Sequence, residues 1–204
     1  MFPSVGTGCR SPDIVEAVEQ ESITIFAPRL DHAAVARLFR TAGTVTLGDP
    51  TSGSDEPVAD DAWRSMSLVV GARTSGWLAR AGHDGGKTIT LFHDPAYYDV
   101  PEWPERLARM QRVVSGFAHG VVTPELLDAI AACRVAIACT FSPTFSFERP
   151  DPRRPALNSL VRILGGMTYT PNSLRDERGL VMVSSELAPD PHAATPGVEP
   201  GTVR

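Results

Sequence analysis

The sequence predicts an α+β fold: two pseudo-repeated β-α-β-β units, a mainly antiparallel sheet, and helices packed largely on one face. Three observations point to it. Short runs rich in β-branched residues alternate with segments of helical spacing. The order strand-helix-strand-strand occurs once in each half of the chain. The segments LFRTAGTVTL (38–47) and LVRILGGMTY (160–169) share Leu, Arg, Gly and Thr at matching positions. The helix stripes keep the same offset, with Val35, Leu38, Phe39 and Ala42 matching Leu157, Leu160, Val161 and Leu164. Each unit is expected to form a split βαβ arrangement, with its third strand antiparallel between two parallel ones.

The elements follow in order. Residues 1–11 read as a flexible arm. Ser11 and Pro12 open a short helix over SPDIVEAVEQ. ESITIFAP is a strand ended by Pro28. Asp31 caps the helix DHAAVARLFRTAG, and Gly43 ends it in the left-handed conformation that only glycine adopts without strain. TVTLGD is a strand. The acidic, Pro-, Gly- and Ser-rich stretch 49–62 is a loop with the composition of local disorder. SMSLVVGA and KTITLFHD are strands joined by a long connection containing AGHDGG. A helix runs from Pro104 to about Phe117, with Leu107, Met110, Val114 and Phe117 on one face. Thr123 and Pro124 start another over TPELLDAIAAC.

VAIACTFSP is a strand, and PALNSLVRILGG is the second unit's helix. MTYT and LVMVSS are the closing strands. Gly165 caps the helix in the left-handed conformation. It is not a phosphate loop, whose glycines precede a helix instead of following one. Asp176-Glu177-Arg178-Gly179 has the composition of a type I turn with a glycine bulge. Residues 188–204 read as a disordered tail, so the folded domain is expected over 12–187 as one α+β unit.

Composition bounds the function. The chain has 204 residues, a hydrophobic share of 42% and a formal charge of −5. These values suit an ordinary soluble protein and argue against a general nucleic-acid binder, which normally carries a basic excess. No apolar run approaches the ~20 residues of a membrane span. The N-terminal segment has no signal-peptide pattern, so a cytoplasmic location and no membrane partner are expected. Cys9, Cys133 and Cys139 have no framework spacing, and the latter two read as buried thiols. Trp63, Trp77 and Trp103 read as partly buried anchors.

The layout from about Asp61 to Ser185 resembles a loose group of uncharacterised bacterial proteins. The similarity rests on the strand AWRSMSLVV, the strand TITLFHD, the helix ending LVRILGG and the turn SLRDERGLVMV. It implies a fold and no catalytic residue.

Two patterns bear on chemistry. His83-Asp84 and His93-Asp94 lie near the ends of an expected hairpin, where they could meet across it and bind a metal. The plainer reading is turn chemistry, since both sit at loop or strand-exit positions. No nucleophile motif occurs, no third ligand cluster has metal spacing, and no catalytic residue, metal ligand or cofactor is assigned.

The second pattern is the arginine cluster in FSFERPDPRRP. The second unit carries seven more positions between its strand and helix than the first. This insertion holds Phe145, Phe147, Arg149, Arg153 and Arg154 ahead of a helix N-terminus. Arginines there suit an anion, with the phenylalanines as apolar contacts. In the alternative, the phenylalanines tuck under the loop and the arginines pair with Glu148 and Asp151. The expected function is a non-enzymatic binding or interaction protein of bacterial accessory or immunity type. Its partner is an unknown protein with an acidic surface or a small anionic ligand. The competing reading is a hydrolase with a dispersed His/Asp site.

Overall fold

The computed structural model describes residues 23–50, 58–71 and 86–185. The expected arm, first short helix, Cys9, Trp77, His83, Asp84, the centre of the acidic loop and the tail lie outside them.

The strand β1 (Ile23–Ala27) alternates buried and half-buried residues, as ITIFA requires. Helix α1 (His32–Ala42) starts where Asp31 accepts a hydrogen bond from the Ala34 amide at 2.9 Å. It buries Val35, Ala36 and Phe39; Ala42, expected in the stripe, is exposed. β2 (Thr44–Gly48), β3 (Ser65–Val70) and β4 (Lys87–Phe92) follow. Then come α2 (Pro95–Tyr98), α3 (Trp103–Ser115), β5 (His119–Gly120) and α4 (Pro124–Ala131), the last capped by Thr123. β6 (Val135–Ser142) leads to α5 (Arg154–Leu164), β7 (Met167–Thr170), β8 (Ser173–Arg175) and β9 (Val181–Ser184).

The strands form one sheet in the order β2-β3-β4-β6-β1-β7-β8-β9-β5, and every neighbouring pair is antiparallel. β1 and β6, the first strands of the two halves, pair at its centre. β6 and β7 both run antiparallel to β1, so they are parallel to each other across it. The intervening strand therefore comes from the other half of the chain, whereas the sequence reading placed it within each unit. In the first half, β1 and β2 are separated by β6, β4 and β3.

The expectation of helices largely on one face is also corrected. α1 and α5 pack together over one face, on Ile25, Leu68, Ile89 and Ile137. α3 and α4 cover part of the other, on Met167, Leu174 and Val183 with Phe26 and Tyr169. An amphipathic stripe says which side of a helix is buried but not which side of the sheet receives it.

The two capping glycines differ. Gly165 has φ 60°, as expected. Gly43 is extended, with φ 175°, so it is not a left-handed cap. Glycine is needed there for closeness: a Cβ would stand 2.1 Å from the Val69 carbonyl oxygen of the paired strand. The β8–β9 turn forms as read, with Gly179 at φ 77° and its amide on the Asp176 carbonyl at 3.0 Å.

Candidate functional site

The arginine insertion is folded inward. Phe145 and Phe147 belong to the core shared by α1 and α5. Arg153 is 0% exposed. Its Nε and Nη2 donate to the two Asp151 oxygens at 2.9 and 2.8 Å. Nη1 donates to the carbonyls of Thr88 and Pro143, and Nη2 also to that of Thr144. These bonds use all five N–H donors of a guanidinium. The Phe141 and Phe145 rings lie 5.4 and 5.5 Å from its carbon.

Asp151 Oδ1 also accepts the Arg153 amide at 2.9 Å, so this carboxylate fills the anion position at the start of α5. Its pKa is held well below the ordinary range, chiefly by the hydrogen bonds from Arg153, against the opposing effect of burial. Arg154 donates to the carbonyls of Phe147 and Arg149, and Glu148 pairs with Arg175 at 3.0 Å. Arg149 is exposed. Burial of Arg153 and the internal carboxylate thus correct the picture of an open anion loop. The phenylalanines are tucked under it, and the cluster fastens the β6–α5 connection.

His93 is a core residue, 6% exposed. Its Nε2 lies 2.5 Å from the Trp63 carbonyl oxygen and 3.0 Å from His32 Nε2, and its Nδ1 lies 3.2 Å from the Tyr98 hydroxyl. A carbonyl can only accept, so Nε2 carries the proton and Nδ1 accepts from Tyr98. His32 Nε2 then faces an N–H and is unprotonated. Burial lowers the pKa of both rings, and their mutual proximity lowers that of His32 further. Asp94 accepts the Ala96 amide at 2.9 Å and caps α2, which is turn chemistry. His83 and Asp84 lie outside the described residues. Among the described residues, no group of three His, Cys, Asp or Glu side chains is placed to hold a metal. Cys133 and Cys139 are buried thiols, and burial pushes Cys133 up to about 11. Trp63 and Trp103 are buried.

An open site exists elsewhere. On the face opposite α1 and α5, pairing aligns Phe92 with Ala138, Ala138 with Thr24, and Thr24 with Tyr169. One cross-strand row therefore runs through β4, β6, β1 and β7 with rings at its ends and small side chains between them. At about 4.8 Å per strand, the ends are roughly 14 Å apart. The result is a trough of about 480 Å³ floored by this row, with Phe26 and Ala136 in the next row. Tyr97 of α2 also lines it, as do Arg64, His93 and Asp94 beside Phe92. The Arg64 guanidinium lies 3.9 Å from Asp49 and 3.6 Å from Asp94.

A second lobe of about 420 Å³ shares Phe26, Tyr97 and Tyr169 and continues along α3 past Arg106, Arg109 and Val113. Arg106 donates to the Tyr97 carbonyl at 2.7 Å and stacks on its ring. The Arg109 side chain has no hydrogen bond or ion pair with another described residue. The sequence reading missed this site. Its one local signal was Phe92, a large ring on the Thr88-Thr90 face of an otherwise alternating strand.

No described helix is long and apolar enough to cross a membrane. No family model, curated protein or solved structure matches the chain.

Proposed function

We propose that this is a non-enzymatic binding protein whose site is the trough across the second face of the sheet. The observation that carries this reading is the row Phe92-Ala138-Thr24-Tyr169, which builds an apolar hollow between two rings. Concave apolar surfaces with a few polar groups at the edge are the usual form of binding sites. Two further points favour binding over hydrolysis. His93 has both ring nitrogens engaged by the fold, and burial keeps it neutral. The acid beside it, Asp94, caps a helix. The two halves that meet at β1 and β6 we read as a β-α-β-β repeat, supported by their shared helix-glycine-strand pattern, with the trough lying across their junction.

The experiment is a titration with anilinonaphthalene sulfonate, an aromatic anion that brightens in apolar surroundings. The expected result is saturable binding to the native chain and its loss in Ala138→Trp, which fills the hollow. Equal dye binding by a folded Ala138→Trp variant overturns the reading.

A further inference from the structure

Resting on that reading, we infer that the trough is a docking surface for an extended, acidic segment of a partner protein carrying apolar side chains two positions apart. The first observation is where apolar surface is exposed. Phe92, Tyr97 and Val113 are 41%, 54% and 43% exposed. All three line the two lobes, whereas the other large exposed apolar residues among those described, Val121, Ile163 and Leu180, line neither. Clustered apolar exposure on a folded protein marks an interaction surface. The site is open along its length, with the rim rings Phe92 and Tyr97 about half in solvent, which suits a longer segment better than a ligand enclosed on all sides.

Geometry favours an extended chain. Side chains i and i+2 of a strand point the same way, about 6.6 Å apart. One can enter the hollow over Ala138 and Thr24 while the next reaches toward Phe26 and Val113. Charge then selects the partner. Arg106 and Arg109 stand on the α3 side of the second lobe, and the Arg109 side chain forms no ion pair with a described acid, Glu105 one turn before it included. A carboxylate on the incoming segment would supply one. Arg64, by contrast, already has Asp49 and Asp94 nearby, so the far end does not ask for a further anion.

The test uses fluorescence anisotropy with a labelled hexapeptide in which Phe and Leu, two positions apart, are flanked by glutamates. A control peptide has glutamine in their place. The native chain should bind the acidic peptide roughly fivefold more tightly than the control at low salt, the scale of two exposed ion pairs. The preference should shrink at high salt, fall to about twofold in Arg106→Gln, which removes one pair, and vanish in Arg109→Glu, which removes one and opposes the other, with thermal midpoints retained. Equal binding of both peptides, or binding of neither, with dye binding intact, overturns the acidic-segment assignment alone. Dye binding that ignores Ala138→Trp overturns the underlying reading instead. A concentration-dependent dimer that Arg109→Glu abolishes would make this chain's own acidic surface the occupant and overturn the assignment of a different partner.

Discussion

Arg153 and Asp151 form a two-pronged ion pair inside the protein, with Nε–Oδ1 at 2.9 Å and Nη2–Oδ2 at 2.8 Å. Asp151 is only 6% exposed at its side chain, and Lys87 approaches it at 3.1 Å from the other side. Removing one member of such a pair leaves the other charge buried without its full set of donors. Arg153→Met should therefore destabilise by about 3–5 kcal/mol. Arg153→Lys should not restore stability, because an ammonium cannot reach carboxylate and carbonyls along two edges at once. Urea melts decide this. A loss below ~0.5 kcal/mol would place Arg153 among ordinary surface residues.

Acid should loosen the contact between α1 and the end of β4. His32 and His93 both have folded-state pKa values below those of the unfolded chain, with burial as the first cause. Around them, Asp31, Asp61, Asp94 and Asp49 favour protonation and Arg64 opposes it, without reversing the direction. The unfolded state binds the protons more readily. The stabilisation is thus complete above about pH 6.5 and is lost as pH falls through the folded-state values. Thermal midpoints from about pH 7 to about pH 5 should fall less steeply in His32→Gln than in the native chain. Parallel slopes would remove the pair from the account.

The glycines after α1 and α5 should respond differently to the same change. Gly165→Ala costs only the left-handed backbone, about 1–2 kcal/mol, since a Cβ there would meet nothing nearer than Pro28 at 3.9 Å. Gly43→Ala drives a Cβ into the Val69 carbonyl and should unseat β2, an edge strand, from β3. Hydrogen exchange of the β2 amides should rise in Gly43→Ala and stay native in Gly165→Ala. The same behaviour in both variants would contradict the distinction.

Leu160 is fully buried in the stripe of α5, with Leu157, Val161 and Leu164. Leu160→Ala should destabilise by about 2–5 kcal/mol, the range for deleting most of a core side chain. Chemical denaturation measures it directly, and a near-neutral result would mean that α5 does not pack as described.

What could be read from the sequence follows from range. Asp31, Thr123, Gly165 and the Asp176–Gly179 turn act within a few residues, and local spacing revealed them. β5 and β8 have two and three residues, too short for alternation to show. The layering had a signal that went unused. β6 buries Val135, Ala136 and Ile137 in succession, and a continuous apolar run means cover on both faces. Of the two readings of the Arg153 cluster, the alternative with Asp151 as partner and the phenylalanines underneath matches the structure, while its carbonyl partners were not legible, because only the fold brings Thr88 and Pro143 to its donors. The trough depends on the register of Thr24, Phe92, Ala138 and Tyr169, which come from four distant strands. No local pattern encodes that alignment.

The central claim is that the trough is the binding surface, and methyl NMR tests it most directly. With Ala, Val and Ile methyls labelled, the acidic Phe/Leu hexapeptide is titrated into the native chain. The account predicts shifts at Ala138 and Val113, on the trough floor and on α3, with Ile163 and Val121 unmoved. Shifts centred on Ile163 or Val121, or none at Ala138 and Val113 at saturation, would contradict it.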